Sequence, residues 1–242
     1  MKTLIYGKHP VHDALTHRPD VVEKVFVEPE QHPELDALAK TKKVFRAPFD
    51  EKAIEKKIGA DAVHQKIAAI VDTEKLTADF HPFLETIRGK SGVALALLAE
   101  IQDPQNVGSI IRSATAFGLS GVLIPKDRQA HITGAVIKAS VGAAFTIPLV
   151  MIGNINQAVA ELKDNRFWVY GLAGEGEKNV RDEDFSENSV IIVGNEAHGI
   201  REKTFEHCDV TLRIPISPNV ESLNAGTSAA IAFYEWKSKQ NG

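Results

Sequence analysis

Apolar runs alternate with helix-type segments from residue 92 to the end of the chain, and this alternation restricts the possible folds more than any other feature. The run at 92–98 is continuous, as in a strand buried on both faces. Further strands are predicted at 121–124, 145–150, 166–171, 189–193 and 209–214. Helices are predicted after residue 103 and at 133–140, 156–163, 201–207 and 223–239. Strands alternating with helices favour an α/β fold, a mostly parallel sheet with helices on both faces.

The first part of the chain carries a weaker pattern of the same class. Short β-type runs lie at 25–27 and 67–71, and a polar helix is predicted at 50–57. Residues 73–92 show little periodicity, and we interpret them as a connection. The sequence therefore predicts three parts: a small α/β domain at 1–78, a linker at 79–91 and a large α/β domain at 92–242.

Cysteine content and hydropathy exclude several classes of protein. Cys208 is the only cysteine, which excludes an internal disulfide, argues against a zinc site and fits a cytoplasmic protein. No apolar run is long enough to span a bilayer, and the first residues lack the apolar core of a signal peptide, so we expect no membrane association.

The formal net charge of −4 does not by itself indicate a nucleic-acid partner. A local excess of basic side chains nevertheless lies at 40–57. It comprises Lys40, Lys42, Lys43, Arg46, Lys52, Lys56 and Lys57, against Asp50, Glu51 and Glu55. Two interpretations are open at this point: contact with phosphates, or an ordinary solvated helix face.

A polar segment, 102–108, follows the first strand of the large domain. Asp103 followed by Pro104 is typical of a helix start, because Asp caps free N–H groups and Pro fits the first turn. The apolar positions of this helix form one stripe, and Arg112 lies off it. Arg112 is either a cation held at a ligand site or a surface arginine paired with an acid.

Two later strands end in segments of the same polar kind. Gly194 and Gly199 flank Glu196 after the strand at 189–193, and glycine permits close backbone approach. Ser222 and Asn224 lie at the start of the last helix, where they bind a ligand or cap the helix. Ligands in open α/β sheets gather at the carboxyl ends of strands, so the three segments are expected to meet.

Taken together, these segments resemble the three motifs of the SpoU/TrmH branch of the SPOUT RNA methyltransferases, and most closely the 23S ribosomal RNA guanosine-2′-O-methyltransferases. The resemblance covers residues 92–242. The matching residues are Asn106, Gly108 and Arg112, then Gly194, Glu196 and Gly199, then Ile214, Pro215, Ser222, Leu223 and Asn224. Residues 6–15 and the pair His64-Gln65 resemble the small ribosomal-protein-like RNA-binding domain of that family, although Lys66 stands where the family usually has glycine.

The resemblance implies a deep trefoil knot at the C-terminal end of the large domain, a homodimer and an RNA partner. The small residues at 225–230 would allow close approach of another helix or of a second subunit, and we expect the dimer interface to include them. It implies S-adenosyl-L-methionine as cofactor, with no metal. The residues expected to hold the cofactor are Gly194, Gly199, Ile214 and Leu223. The residues expected to serve catalysis are Arg112, Asn106, Glu196, Ser222 and Asn224.

The function implied is methyl transfer to a ribose 2′-hydroxyl, with a guanosine of 23S ribosomal RNA as the expected target. The family pattern gives Arg112 the role of general base, assisted by an RNA phosphate. A free arginine has a pKa above about 12, which favours a role as phosphate clamp and stabiliser of alkoxide charge.

Three alternatives are weighed against this function: a transfer-RNA 2′-O-methyltransferase, an RNA-binding protein of the same fold without catalysis, and a nucleotide-dependent oxidoreductase. The chain lacks the glycine-rich dinucleotide fingerprint, which argues against the last of these.

Overall fold

The computed structural model describes residues 1–240 of the 242-residue chain. Its strands are β1 (Lys2–Tyr6), β2 (Val22–Val27), β3 (Phe45–Ala47), β4 (Ile67–Asp72), β5 (Thr77–Asp79), β6 (Ala94–Ala99), β7 (Gly121–Pro125), β8 (Leu149–Ile152), β9 (Phe167–Leu172), β10 (Lys178–Asn179), β11 (Asn188–Gly194) and β12 (Val210–Arg213). Its helices are α1 (Lys8–His17), α2 (Pro33–Thr41), α3 (Glu51–Ile58), α4 (Phe80–Ile87), α5 (Pro104–Ala116), α6 (Gly134–Ala139), α7 (Ile155–Asp164), α8 (Glu202–Phe205) and α9 (Ala225–Lys239). Within residues 1–240, no helix combines the length and the apolar content that crossing a membrane would require.

Eight strands form one parallel sheet in the order β10-β12-β9-β11-β6-β7-β8-β5. This confirms the α/β class predicted from the alternation of apolar runs and helices. One predicted strand is displaced, because residues 143–145 form a short helical turn and β8 begins only at Leu149. The preceding residue is Pro148, which has no N–H to donate to a neighbouring strand. The trefoil knot stays a prediction.

Helices cover both faces of this sheet, as expected for strands that are apolar throughout. Alternate residues of β6 point to opposite sides, so Leu95 and Leu97 lie in one core with α4 and α7. Ala94, Ala96 and Leu98 lie in the other core, with α5, α6 and α9.

The first four strands form a separate mixed sheet in the order β1-β4-β2-β3. Helices α1 and α2 pack on one face of it, and their core is continuous with the core around α5 and α6. The approach is close at Gly134 of α6, where a Cβ would lie 2.8 Å from the carbonyl oxygen of Leu4. The small unit is therefore packed directly against the large one.

The segment predicted as a linker, 79–91, contains a helix instead. Phe80, Phe83, Leu84 and Ile87 of α4 are buried in the core of the large unit. Just before it, β5 is the last strand of the large sheet and pairs with β8. The spacing of these four apolar residues is helical, but the segment is only two turns long and contains Pro82, so its periodicity is weak over a longer window.

The turn before β4 shows how the chain accommodates Lys66 at the position where the family usually has glycine. Gln65 and Lys66 both adopt left-handed backbone, with φ of 52° at each. The Lys66 N–H donates to Nδ1 of His64 at 3.0 Å, and the Gln65 side chain accepts from the N–H of Lys8 at 2.9 Å. These bonds hold a turn that a glycine would adopt without strain.

Replacing Lys66 by glycine is therefore expected to raise the free energy of unfolding by about 1 kcal/mol, the lower end of the cost of left-handed backbone. Urea denaturation followed by circular dichroism measures this change. Gln65→Gly is the matched control: it relieves the same strain but removes the bond to Lys8, so it should stabilise less. A destabilised K66G protein would contradict the strain argument.

Candidate active site

Helix α5 begins where the sequence predicted, and its start positions the first site residue. The Asp103 carboxylate accepts from the N–H of Gln105 at 2.9 Å, and Pro104 occupies the first turn. Asn106 follows in that turn and is buried, 6% exposed. Cap and proline together fix the entry angle of the helix, and this places the Asn106 amide beside the loop that follows β11.

A cavity of about 400 Å³ opens at the carboxyl ends of β9, β11 and β12. Its lining includes six of the predicted residues: Gly194, Glu196, Gly199, Ile214, Ser222 and Leu223. A larger hollow of about 1220 Å³ lies beyond β6, β7 and β8, but none of the predicted site residues lines it. The smaller cavity is therefore the candidate site.

A chain of hydrogen bonds joins the three polar segments next to this cavity. The Asn106 amide nitrogen donates to the Glu196 carboxylate at 2.6 Å, and the Asn106 amide oxygen accepts from the Asn224 amide at 2.7 Å. Asn224 Oδ1 in turn accepts from the N–H of Thr227 and so caps α9. Asn224 therefore caps α9 and belongs to the hydrogen-bond chain at the same time, and a role in ligand binding stays a prediction.

Gly194 and Gly199 face each other within one short loop, which closes through an isolated bridge between Asn195 and Gly199. A Cβ at Gly194 would lie 2.5 Å from the carbonyl carbon of Gly199 and 2.6 Å from the nitrogen of Ile200. Gly199 has a φ of 64°. Gly194 is thus needed for the loop to close on itself, in addition to lining the cavity.

Arg112 is placed differently from the other predicted residues. It is exposed, it does not line the cavity, and within residues 1–240 its side chain has neither an ion pair nor a hydrogen bond. It belongs to the solvent-facing strip of α5, which also carries Gln105 and Ala116. The surface-arginine interpretation required an acidic partner, and the described part of the chain supplies none.

The cavity fits the cofactor that the resemblance implies. Its volume is in the range of small-molecule sites. The lining contains two carboxylates, Glu196 and Glu221, and no lysine, arginine or histidine among the described residues. The remainder mixes apolar side chains with glycines, serines and an asparagine. A site with apolar and polar surface, two carboxylates and no cation suits an adenosine derivative that carries a sulfonium charge.

Several lining residues were not predicted from the sequence. Leu172 at the end of β9 forms one wall with Ala173 and Gly174, which follow it, and Glu221 contributes from the loop before α9. The sequence did contain a signal for the wall formed by the loop after β9. Like the loop after β11, this loop contains glycine and follows an apolar strand. It lies outside the three motifs, so the resemblance did not point to it.

One group of side chains in the small unit has the spacing of a metal site: Glu51, Glu55 and His64. Nδ1 of His64 accepts the N–H of Lys66, so the ring hydrogen of the neutral imidazole lies on Nε2. Nε2 faces the two carboxylates at 3.8 and 3.7 Å. A nitrogen that carries hydrogen cannot bind a metal. The arrangement therefore suits a charge–dipole contact between the imidazole N–H and the two carboxylates better than it suits metal binding.

Substituting Asn106 by aspartate is expected to lower the free energy of unfolding by about 1–3 kcal/mol, the usual cost of breaking a buried hydrogen bond. The new carboxylate would face that of Glu196 across the 2.6 Å bond and could not donate to it. Urea denaturation at neutral pH measures the change. Gln105→Glu, an equal charge change at an exposed neighbour, is the control and should have little effect. Equal stabilities of the two variants would exclude this role of the network.

Comparison with known proteins adds two family matches and several relatives. Residues 94–234 match the SpoU rRNA Methylase family, and residues 4–76 match the family described as RNA 2'-O ribose methyltransferase substrate binding. A 23S rRNA (guanosine-2'-O-)-methyltransferase, RlmB of Pseudomonas aeruginosa, is 32% identical over 96% of this chain and 94% of its own. A putative TrmH family tRNA/rRNA methyltransferase of Staphylococcus aureus is 33% identical over the same shares.

A solved structure has the same fold. The SpoU methyltransferase AviRb from Streptomyces viridochromogenes, in complex with AdoMet, superposes with a TM-score of 0.84. The alignment covers 99% of this chain and 91% of AviRb at 23% identity. It includes both the small unit and the large unit, so the two-part architecture is shared as well.

Proposed function

Because the chain belongs to the SpoU rRNA methylase family, we propose that it transfers a methyl group from S-adenosylmethionine to a ribose 2′-hydroxyl of 23S ribosomal RNA. The observation that supports this most is the hydrogen-bond chain Glu196–Asn106–Asn224, which joins all three motifs at one cavity. A network that joins all three motifs beside a cofactor-sized cavity favours an active methyltransferase over a non-catalytic RNA-binding protein.

Different residues around the cavity are suited to different parts of the cofactor and the substrate. Apolar side chains at the ends of β9, β11 and β12 enclose the adenosyl part, and the Gly194–Gly199 loop leaves backbone groups free to contact it. The bound cofactor supplies an electrophilic methyl group on a sulfonium. Asn106 orients the Glu196 carboxylate, and Asn224 holds Asn106 in turn. Ser222, an exposed lining residue, is available to the ribose.

Arg112 acts on the RNA side of the reaction. A ribose hydroxyl is a weak nucleophile, and its oxygen gains negative charge as it attacks. An exposed guanidinium without an acidic partner clamps a phosphate next to that hydroxyl and stabilises the developing charge. Proton removal assisted by the phosphate is the role that the family pattern adds.

The choice of 23S ribosomal RNA, and of guanosine, rests on the small unit and on the named relatives. In the basic segment 40–57, Lys40 and Arg46 pair with Asp36 and hold the pKa of that carboxyl below its ordinary value. Lys40 and Arg46 are therefore already paired with an acid. Lys42 and Lys43 have no acidic partner within residues 1–240 and can contact phosphates. We place the enzyme in the cytoplasm, in keeping with such a substrate.

The function is tested by incubating the protein with radiolabelled S-adenosylmethionine and transcripts of 23S ribosomal RNA or transfer RNA. Methylated nucleotides are then mapped by mass spectrometry. Methyl transfer to one 23S guanosine is the expected result. Transfer to transfer RNA alone would refute the substrate, and the absence of transfer to either RNA would refute the function. Deleting 1–90 is not a usable test, since it removes β5 and α4 from the large unit.

We also propose a homodimer, although with an interface different from the one that small residues suggest. Ala225, Gly226 and Ala229 of α9 are buried, and a Cβ at Gly226 would lie 2.7 Å from Oγ of Ser109 in α5. These three residues therefore serve helix packing within the chain, whereas Thr227 is exposed. The exposed apolar side chains nearby are Tyr234 of α9 and Val141 after α6, with the strip that holds Arg112 between these helices.

Tyr234→Lys is accordingly expected to convert the dimer to monomer at micromolar concentration, because a charge would replace an aromatic ring that is 56% exposed in the single chain. Sedimentation velocity measures the change. Trp168→Lys, at an exposed aromatic residue on β9, is the control and should leave the dimer intact. A wild-type protein that is monomeric and active would refute the dimer.

A further inference from the structure

The second face of the small sheet is covered over only part of its area. Alternate residues of its four strands point away from α1 and α2. Over one part of this face, α3 and Phe49 pack against Leu4, Tyr6, Ala68 and Phe26. The adjacent row of side chains is half-buried or exposed.

The strand registers define this row, which runs from the packed part of the face to the exposed edge strand. Leu4 pairs with Ile70, Ile70 with Lys24, and Lys24 with Phe45, so the four residues form a line across β1, β4, β2 and β3. The line ends at Phe45 on the edge strand, where the ring is 64% exposed. We call Leu4, Ile70, Lys24 and Phe45, with the neighbouring rings of Tyr6 and Phe26, the open sheet face.

Two ammonium groups lie among the rings of this face. Nζ of Lys24 is 5.0 Å from the ring centre of Phe26 and 5.2 Å from that of Phe45. Nζ of Lys138, from α6, is 4.9 Å from the Tyr6 ring and donates to its hydroxyl at 2.8 Å. Neither lysine forms an ion pair within residues 1–240.

Two acids on the strands of this sheet are already paired. Glu23 pairs with Lys2 at 2.8 Å, and Asp72 pairs with the N-terminal ammonium at 3.2 Å. The open sheet face therefore combines the exposed ring of Phe45 with two lysines, Lys24 and Lys138, that have no ion pair within residues 1–240. A partner that offers flat rings and negative charge together is complementary to it.

We propose that the open sheet face binds an unpaired segment of the substrate RNA, with a base stacked on the exposed ring of Phe45 and phosphates beside Lys24 and Lys138. This rests on the proposed function, in which RNA is the substrate. Stacking requires bases that are free of a duplex, and a sheet that displays aromatic rings is a known solution for single-stranded RNA. The lysines among the rings favour RNA over an apolar protein surface.

The position of Lys138 links this surface to the catalytic unit. It lies on α6, which packs on α5 where Gly108 allows close approach to Val136 and Ser140. Arg112 is one turn along α5 from Gly108. An RNA chain that passes Lys138 would therefore run toward α5, the helix that carries Arg112. The unpaired segment recognised by the open sheet face would then be close in the RNA sequence to the methylated nucleotide.

The test uses the full-length protein, a labelled unpaired RNA oligonucleotide of mixed sequence and an RNA duplex, with binding followed by fluorescence anisotropy. Phe45→Ala should weaken binding of the unpaired RNA roughly ten- to a hundredfold, whereas Phe45→Trp should retain it. Phe45→Leu keeps apolar area without a ring and should behave like the alanine variant. Val63→Ala, at a residue 78% exposed in the same unit, is the control.

Lys24→Gln supplies a second, independent measurement. Loss of one phosphate contact should reduce the slope of log affinity against log salt by about 0.7 for unpaired RNA. Unchanged binding by Phe45→Ala, equal binding by Phe45→Leu and wild type, or dissociation of a dimer by Phe45→Ala would each overturn the proposal. Methyl transfer by the wild type is measured in parallel, so a failure of the proposed function is seen separately from a failure of this surface.

Discussion

Arg112→Ala is expected to lower the rate constant of methyl transfer by at least about 10²–10³, the effect of removing one charge-stabilising group. The dissociation constant of S-adenosylmethionine should change by no more than a few-fold. Both expectations come from the position of Arg112, which is on the exposed strip of α5 and outside the cavity lining. Single-turnover kinetics with saturating RNA measure the rate, and calorimetry measures cofactor affinity.

Two further variants make this result specific. Arg112→Lys keeps the charge but loses the planar fork that binds phosphate through two bonds, so it should recover only part of the rate. Arg181→Ala removes another exposed arginine and should leave the rate unchanged. If Arg112→Ala reduced cofactor affinity as much as the rate, Arg112 would belong to the cofactor site and the assignment to the RNA side would be wrong.

Gly194→Val should weaken cofactor binding at least about a hundredfold, which corresponds to about 2.8 kcal/mol. The physical reason lies within the protein. A Cβ at this position would be 2.5 Å from the backbone of Gly199, so the loop after β11 would be forced open. Ala197 and Gly199 would move with it, and the Asn106–Glu196 bond would be disturbed. Calorimetric titration with S-adenosylmethionine measures the loss.

The control for this variant is Gly153→Ala, in the turn before α7. A Cβ there meets nothing within 4 Å, so both affinity and stability should be unchanged. Circular dichroism and thermal melting confirm that Gly194→Val keeps the folded core. A folded Gly194→Val protein with normal affinity would show that the shape of this loop does not matter for binding.

The sequence could predict what depends on neighbours along the chain. Continuous apolar runs indicated strands buried on both faces, and their alternation with helices indicated the parallel sheet. The start of α5 was readable from Asp103-Pro104, and the buried stripe of that helix separated Arg112 from the core. Each of these signals is local, because burial and capping act within a few residues of each other.

Tertiary structure alone decided which polar residues meet. Asn106 is 90 positions from Glu196 and 118 from Asn224, and the order of the strands in the sheet brings the three together. The same applies to Leu172–Gly174, which line the cavity because β9 lies next to β11. Hydrophobic periodicity reports which side of an element is buried and carries no information about its neighbour in space.

The packing also shows that several residues have roles different from those that their residue types suggested. The small residues at the start of α9 meet α5 within the chain, Lys40 and Arg46 are held by Asp36, and residues 80–87 form a buried helix where a linker was expected. In each case the residue type fixed what the side chain could do. Which of those options is realised depends on the residues that the side chain contacts. Contacts between residues distant in sequence are determined only when the chain folds.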